Sequence, residues 1–343
     1  MPVPSGAGEP KAQELQAVSA ASSVDTEETQ EEPTDTNGTG QNVEMECGES
    51  STNDIVVIDP DCAELDLNHG RIRQIQNLEP LTSIERLYLR WNLITKIENL
   101  DTLVTLKELE LYDNQLTKIE NLDALVNLEI LDLSFNRIKH IEGLANLKSL
   151  KRLFLSSNKI DKIENLNHLE NLELLELGDN KLRQIENLDG LTKLQYLYLG
   201  KNKITAISNL DSLTNLTCLS LQSNRLTKIE NLSTLRELNE LYLSENGITK
   251  IENLEENKKL ETLDLAQNKI KAIENVEHLE NLQEFWINNN EISEWTSIER
   301  LGALKNLATV YLEKNPVAED PMYRRKLKLI APSLTQIDAT LCR

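Results

Sequence analysis

Residues 87–108 read LYLRWNLITKIENLDTLVTLKE, and residues 109–130 read LELYDNQLTKIENLDALVNLEI. The two stretches share one pattern of Leu, Ile and Asn that recurs every 22 residues, and this period runs without a slip from Asn92 to Asn290. A first copy carries Gly70 where Asn is expected, and a last copy reaches Asn315 after a longer spacing of 25 residues. A fixed period of this length, kept over so many copies, indicates a solenoid built from stacked repeats.

Each unit begins with the pattern L-x-L-x-x-N, which is the signature of leucine-rich repeats. The L-x-L segment predicts a short strand whose two Leu side chains point inward, and the Asn predicts an internal row of amides bonded to neighbouring backbone groups. The second half, I-E-N-L-x-x-L, supplies further inward apolar side chains. The predicted fold class is therefore an α/β repeat: a curved solenoid with a parallel β-sheet on the concave face and short helical or 3₁₀ turns on the convex face.

The composition divides the chain into four predicted parts. Residues 1–54 hold twelve acids and one base and no aromatic residue, which predicts a disordered acidic tail with sites for acid-directed kinases. Residues 55–76 are expected to form an N-terminal cap, beginning with Ile55–Pro60, and a degenerate first repeat. Regular repeats are expected over 77–304, and a last repeat with a C-terminal cap over 305–343. In that cap, the basic run 324–328 is interpreted as the solvated face of a helix rather than a localisation signal.

The overall charge of −21 disfavours binding to nucleic acid and to anionic membranes. The N-terminus lacks a basic segment followed by an apolar one, and no apolar run is long enough to span a bilayer. The four cysteines are far apart and have no His at metal-ligand spacing, so we expect reduced thiols, no metal and no cofactor. These features favour a nuclear or cytoplasmic location and a chain that is a monomer in isolation.

The middle residue of each L-x-L is expected to point to solvent, so these residues should form one column on the concave face. Of the twelve, six are aromatic and five are acidic, although the chain holds only three Trp, seven Tyr and three Phe. Strand propensity favours aromatic residues here but does not explain the acids. The pattern is typical of an interface for a partner with Arg, Lys and apolar groups. The column residues are Asp66, Tyr88, Glu110, Asp132, Phe154, Glu176, Tyr198, Ser220, Tyr242, Asp264, Trp286 and Tyr311.

The predicted partner-binding residues are drawn from this column and from one strand neighbour, Glu284. Trp91, Tyr112 and Phe135 follow their strands and would either extend the interface or cover the edges of the repeats. The predicted binding set is Asp132, Phe154, Glu176, Tyr198, Tyr242, Asp264, Glu284, Trp286 and Tyr311.

Catalysis is not expected. None of the four histidines lies beside a Ser or Cys nucleophile in a recognisable motif, and the sequence has no glycine-rich phosphate loop. The carboxylates of the column could pair as acid and base, but on an open surface we expect nothing to raise the pKa of one of them.

The 22-residue unit with its nearly invariant I-E-N-L-x-x-L half resembles a short-repeat subclass of leucine-rich-repeat proteins that includes a regulatory subunit of protein phosphatase 1. The resemblance extends over about residues 55–343. It implies a non-enzymatic subunit that binds the catalytic subunit of protein phosphatase 1 and affects its activity, maturation or localisation, with a third protein as a possible member of the complex. Most regulators of that phosphatase dock through a short basic-Val/Ile-x-Phe/Trp segment, which this sequence lacks, so docking would have to use the folded face.

Two other classes fit the same pattern. A leucine-rich-repeat adaptor would use the concave face on another partner, and a histone-chaperone-like acidic protein would bind a basic partner through residues 1–54.

Overall fold

A computed structural model describes residues 59–342 of the chain. In this part, fourteen strands form one sheet in sequential order, of which β1 to β13 are parallel and β14 runs antiparallel to β13. Each of the first twelve strands has three residues, one strand per repeat. The strands are β1 Glu64–Asp66, β2 Arg86–Tyr88, β3 Glu108–Glu110, β4 Ile130–Asp132, β5 Arg152–Phe154, β6 Leu174–Glu176, β7 Tyr196–Tyr198, β8 Cys218–Ser220, β9 Glu240–Tyr242, β10 Thr262–Asp264, β11 Glu284–Trp286, β12 Thr309–Tyr311, β13 Gln336–Ile337 and β14 Thr340–Leu341.

The core is a stack of identical apolar positions. Leu109 and Leu111 flank the middle residue of one repeat and are fully buried, and the second-half residues Ile119 and Leu122 are buried in the same way. The pattern recurs in every regular repeat, so each repeat buries its apolar side chains only against the repeats before and after it. Burial of this kind is cooperative along the chain, and a single repeat would not be stable alone.

The predicted row of Asn amides is confirmed. Asn158 donates from Nδ2 to the carbonyls of Leu133 and Leu155 at 2.9 and 3.1 Å, and its Oδ1 accepts the backbone N–H of Ile138 at 3.0 Å. The same set of bonds recurs from Asn92 to Asn290. Backbone N–H and carbonyl groups that follow each strand inside the solenoid are therefore hydrogen-bonded to Asn side chains and need no water.

A second row of Asn residues was not predicted from the sequence. The Asn of the I-E-N segment adopts a left-handed conformation, with φ of 59° at Asn99 and 58° at Asn165. Its Nδ2 donates to the carbonyl of the Ile one repeat earlier, from Asn99 to Ile75 at 2.7 Å and from Asn165 to Ile141 at 2.6 Å. Asn suits this position because its short amide tolerates the left-handed region and bonds locally.

Helices are few and lie near the C-terminal end of the described residues. They are α1 Trp295–Ile298, a 3₁₀ helix Glu299–Ala303, a second 3₁₀ helix Pro316–Glu319, and α2 Tyr323–Ile330. In the earlier repeats the side opposite the sheet consists of successive turns, such as those closed by Leu103 N–H to Leu100 and by Leu106 N–H to Leu103. Twenty-two residues leave no room for a longer helix beside the strand.

The C-terminal end is tied together by polar contacts. The hydroxyl of Tyr323 donates to Asp338, whose Oδ1 also accepts the backbone N–H of Leu312 at 2.9 Å, and Arg324 donates to the carbonyl of Ile337 at 2.7 Å. The helix α2 therefore holds the last strands in place. The predicted acidic tail 1–54 and the start of the predicted N-terminal cap, 55–58, lie outside the described residues.

Candidate protein-binding face

The middle residues of the repeats form one column, as the sequence predicts. Strand register places Tyr88 opposite Glu110, Glu110 opposite Asp132, and Asp132 opposite Phe154. The column continues in register through Glu176, Tyr198, Ser220, Tyr242, Asp264, Trp286 and Tyr311. Each of these side chains is flanked in its own strand by buried core residues, so the column lies on the solvent side of the sheet. Glu284 lies on the same face of β11, two residues before Trp286.

The first half of the column is mostly acidic and holds two rings, Tyr88 and Phe154. Asp132 and Glu176 lie on the two strands that flank Phe154, and all three side chains are half-buried. Asp132 accepts the backbone N–H of Ser134 at 2.9 Å. Glu110, one strand earlier, forms an ion pair with Arg90.

The second half of the column is aromatic. The ring centroids of Trp286 and Tyr311 are 6.0 Å apart in an edge-to-face arrangement, and those of Trp286 and Tyr242 are 6.4 Å apart. Tyr242 donates its hydroxyl to Glu240 at 3.0 Å, and the hydroxyl of Tyr311 accepts a hydrogen bond from Gln336 at 2.8 Å. These bonds orient both phenol rings. Tyr198 lies two strands before Tyr242, and its ring forms no aromatic pair with the cluster of Tyr242, Trp286 and Tyr311.

The indole N–H of Trp286 is a feature of the face that the sequence did not reveal. The Nε1 atom is buried, and no acceptor lies within hydrogen-bond distance of it among residues 59–342. A buried donor without an acceptor costs on the order of 1–3 kcal/mol. A partner that brings a carbonyl or carboxylate oxygen to this point would remove that cost.

The carboxylates of the face differ from our expectation that nothing would raise their pKa. Burial raises the pKa of Asp132, Glu176 and Asp264, and burial with the neighbouring charge of Glu240 raises the pKa of Glu284. Burial also raises the pKa of Glu110, to about 7, although Arg90 acts in the opposite direction. The expectation was wrong because large neighbours in register cover much of each carboxylate and remove water from it.

Asp264 is the least accessible of the predicted binding residues. Its side chain is only 5% exposed, and its Oδ1 accepts the backbone N–H of Ala266 at 3.0 Å. Its contribution to a partner would therefore come from its charge beneath the aromatic rings rather than from a broad contact.

From β7 to β12, no strand residue on the solvent face is basic. Besides the column residues, this face carries the first residue of each strand, namely Tyr196, Cys218, Glu240, Thr262, Glu284 and Thr309. Glu240 and Glu284 have no salt bridge within the described residues. Burial, with the charge of Glu240, raises the pKa of the Cys218 thiol, so this cysteine stays protonated and unreactive at neutral pH. This half of the face is suited to cationic and apolar groups.

The chain belongs to the leucine-rich-repeat family. Residues 229–339 match the family model described as "Leucine-rich repeat", and residues 104–236 match the model "Leucine Rich repeats (2 copies)" in five overlapping pairs. Together the two models cover more than half of the chain. Among solved structures, the chain is similar to an internalin from Listeria monocytogenes, with 28% identity, a TM-score of 0.67, and 82% of this chain and 87% of that chain covered. It is also similar to a leucine-rich-repeat protein from Leptospira interrogans, with 26% identity, a TM-score of 0.64, and coverage of 76% and 74%.

Two curated relatives share a short segment with this chain. Protein phosphatase 1 regulatory subunit 7 from Danio rerio is 53% identical over 49 residues, and the protein of the same name from Homo sapiens is 51% identical over 49 residues. Each match covers 14% of this chain and 14% of the relative. The similarity found is therefore much shorter than the resemblance over residues 55–343 that the repeat pattern suggests.

The described residues show neither a membrane-spanning helix nor a metal centre. None of the helices within residues 59–342 is long and apolar enough to cross a bilayer. In the same residues, no group of three or more His, Cys, Asp and Glu side chains is arranged to hold a metal ion.

Proposed function

We propose that this chain is a non-catalytic regulatory subunit that binds the catalytic subunit of protein phosphatase 1 through the solvent face of its sheet. The regulated property would be the activity, maturation or localisation of the phosphatase, in the nucleus and cytoplasm, with a third protein as a possible further member of the complex. The identity of the partner is supported by the 49-residue similarity to the regulatory subunits and by the repeat resemblance.

The observation that carries the proposal is the in-register column of rings and carboxylates. Trp286, with its neighbours Tyr242 and Tyr311, offers a half-buried aromatic centre, and aromatic residues of this kind are enriched in interface hot spots. Glu284, Asp132 and Glu176 supply negative charge that no Lys or Arg of the described chain pairs with. A partner surface with basic and apolar side chains would satisfy both, and six or more repeats can bury about 800 Å² per partner, as standard interfaces do.

The carboxylates could act as acid and base in principle, because several have a raised pKa, but the proposal assigns them to binding. A pocket of the described residues lies at the first repeat, lined by Pro60, Leu67 and Leu78, far along the sheet from Trp286. It contains no carboxylate, His or thiol, so it offers no acid–base pair for catalysis.

The test is the affinity of the purified full chain for the phosphatase catalytic subunit, measured by titration calorimetry. Trp286→Ala and Phe154→Ala are each expected to weaken binding by more than about 2 kcal/mol, because each removes an aromatic anchor from a largely covered site. Val126→Ala, at an exposed residue outside the strands, is the matched control and should bind like wild type. If the folded double variant retains the phosphatase with wild-type affinity, the assignment of this face is wrong.

The alternatives predict different results in the same assay. A histone-chaperone-like acidic protein would lose its partner when residues 1–54 are deleted, whereas the proposed phosphatase subunit keeps its affinity. An adaptor of another complex would show no binding of the phosphatase by the wild-type chain, and affinity purification with wild type and Trp286→Ala would identify what is lost.

A further inference from the structure

A row of four rings lies at the ends of the first four strands, beside the column and distinct from it. His69 stacks on Trp91 with ring centroids 4.4 Å apart and planes within 6° of parallel. Trp91 meets Tyr112 edge to face at 5.6 Å, and Tyr112 meets Phe135 at 4.8 Å. We call His69, Trp91, Tyr112 and Phe135 the N-terminal aromatic row. None of the four belongs to the predicted binding set.

Three of these rings, His69, Trp91 and Phe135, occupy a left-handed backbone position, which disfavours the bulky Trp and Phe side chains. Trp91 and Phe135 have φ of 53° and 55°, in the left-handed region where bulky side chains are strained. Their backbone N–H groups are bonded to the carbonyls of Tyr112 and Ser156 at 3.0 and 2.9 Å, so the conformation is fixed by the next repeat. Other repeats place small or polar residues at the equivalent position, namely Asp113, Ser157, Asp179, Lys201, Ser223, Glu245, Gln267, Asn289 and Lys314. The left-handed turn is common to the repeats, so the fold does not need a ring at this position.

The row is exposed and its polar atoms are available. Trp91 is 41% exposed and Phe135 is 44% exposed, which makes them two of the few large apolar side chains on the surface of the described chain. Neither the indole N–H of Trp91 nor the hydroxyl of Tyr112 has a hydrogen-bond partner among residues 59–342. The row therefore offers exposed apolar area together with two free hydrogen-bond donors.

Exposed carboxylates lie beside the row. Asp113 lies in the same row between Trp91 and Phe135 and is exposed, and Asp66 is exposed on the first strand. Of the basic groups around the row, Arg90 is held in its ion pair with Glu110 and over the ring of Tyr88, with 5.9 Å from the guanidinium carbon to the ring centroid. Arg71 and Arg137, two residues after His69 and Phe135, are exposed. Burial together with the charges of Asp113 and Asp132 raises the pKa of Tyr112, so the phenol stays neutral and can donate.

We propose that the N-terminal aromatic row binds an extended, arginine-bearing segment of a partner protein. A guanidinium group stacks on aromatic rings and pairs with carboxylates, and it is more weakly hydrated than an ammonium group, so it fits rings interleaved with Asp113 better than Lys does. The free N–H of Trp91 and O–H of Tyr112 would donate to carbonyls of the extended backbone. An acidic segment or a nucleic acid is repelled by the same carboxylates. The proposal uses residues outside the column and stands whether or not the phosphatase is the partner there.

The test uses the full chain and a fluorescein-labelled synthetic peptide of twelve residues that alternates Arg and Ala. The decisive variant is Trp91→Ser combined with Phe135→Asn, because Ser157 and Asn289 occupy the same repeat position in this chain and both tolerate the left-handed region. The variant leaves the net charge unchanged, so any loss of binding comes from the rings. In fluorescence anisotropy at physiological salt, we expect the Kd for the peptide to rise by about tenfold or more.

The controls separate the rings from the overall charge. Val126→Ala, at an exposed residue outside the strands, should bind the peptide like wild type. The Lys–Ala peptide should bind several-fold more weakly than the Arg–Ala peptide, and the Glu–Ala peptide should not bind. The proposal is overturned if the folded double variant binds the Arg–Ala peptide with wild-type affinity. It is also overturned if the Lys–Ala or Glu–Ala peptide binds equally well, or if the wild-type chain does not bind the Arg–Ala peptide. A wild-type chain that sediments as a dimer, with a double variant that sediments as a monomer, also overturns the proposal, because a second copy of the chain would then occupy the row. If the double variant does not fold, Asp113→Asn alone decides, and it should weaken binding by about threefold.

Discussion

The rings of Tyr242 and Trp286 approach to 6.4 Å between centroids although their strands are not neighbours. The strand between them, β10, places Asp264 in the column, and the carboxylate of Asp264 turns back to accept the N–H of Ala266. Because this side chain is short and folded onto its own strand, the two larger rings lean over it. The aromatic cluster of the candidate face therefore depends on an acidic residue that contributes little surface of its own.

This relationship gives a prediction for Asp264. Asp264→Asn keeps an oxygen for the N–H of Ala266 and removes a carboxylate whose ionised form is disfavoured by burial, so stability should be unchanged or slightly higher. Asp264→Ala leaves the buried N–H without its acceptor and should lose about 1–2 kcal/mol. Urea unfolding of the two variants measures the difference. Equal stability of the two variants would show that the bond to Ala266 does not matter.

A polar residue in the core gives a second prediction. Asn257 is fully buried at the repeat position that Leu235 occupies one unit earlier. Its Nδ2 donates to Leu232 and Leu235 at 3.0 and 2.8 Å, but no donor reaches its Oδ1 among the described residues. The carbonyls of Leu232 and Leu235 also accept backbone N–H groups, so they would stay paired without the amide.

Asn257→Leu should therefore stabilise the chain by about 1–3 kcal/mol, since it removes a buried acceptor without a donor and adds apolar contacts. Thermal unfolding followed by circular dichroism measures the change. The reverse exchange, Leu235→Asn, is the matched control and should destabilise. A lower melting temperature for Asn257→Leu would mean that the amide is needed in this repeat.

The raised pKa of the face carboxylates predicts opposite effects of pH on binding and on stability. A cationic partner prefers the ionised carboxylates, so its affinity should fall as the pH drops from 8 to 5, starting at a higher pH than for ordinary Glu with a pKa near about 4.3. In the free chain, a carboxyl group with a raised folded pKa contributes stability at low pH that is lost as the pH rises through that pKa. Binding should thus be tighter at pH 8, while these groups stabilise the free chain more at pH 5.

Calorimetric titrations of the phosphatase at several pH values, beside urea unfolding of the free chain, test this prediction. The variant Glu176→Gln with Glu284→Gln should bind more weakly at pH 8 and show a smaller change with pH in both measurements. An affinity of the wild-type chain that stays constant between pH 8 and pH 5 would contradict the electrostatic role of the face.

The sequence alone determined the repeat and everything that follows from its period. The spacing of Leu, Ile and Asn was sufficient for the strands, the buried apolar stack, the first row of Asn amides and the column from Tyr88 to Tyr311, because a residue at a fixed place in a solenoid repeat always faces the same way. The second row of Asn residues was missed, because the spacing of residues in the I-E-N segment does not reveal that the backbone is left-handed at the Asn.

Only the tertiary structure decided how each group of the face behaves. Parallel stacking in register brings residues 22 positions apart to strand spacing, so a large ring covers its smaller neighbour: Asp264 is nearly hidden, Trp286 keeps a buried N–H without an acceptor, and the carboxylates lose water. The same stacking joins Trp91, Tyr112 and Phe135 into one exposed row. The exposure and the pKa of a side chain depend on how closely its neighbours in space pack against it. A periodic sequence specifies which residues are neighbours, but it does not specify how far their side chains exclude water.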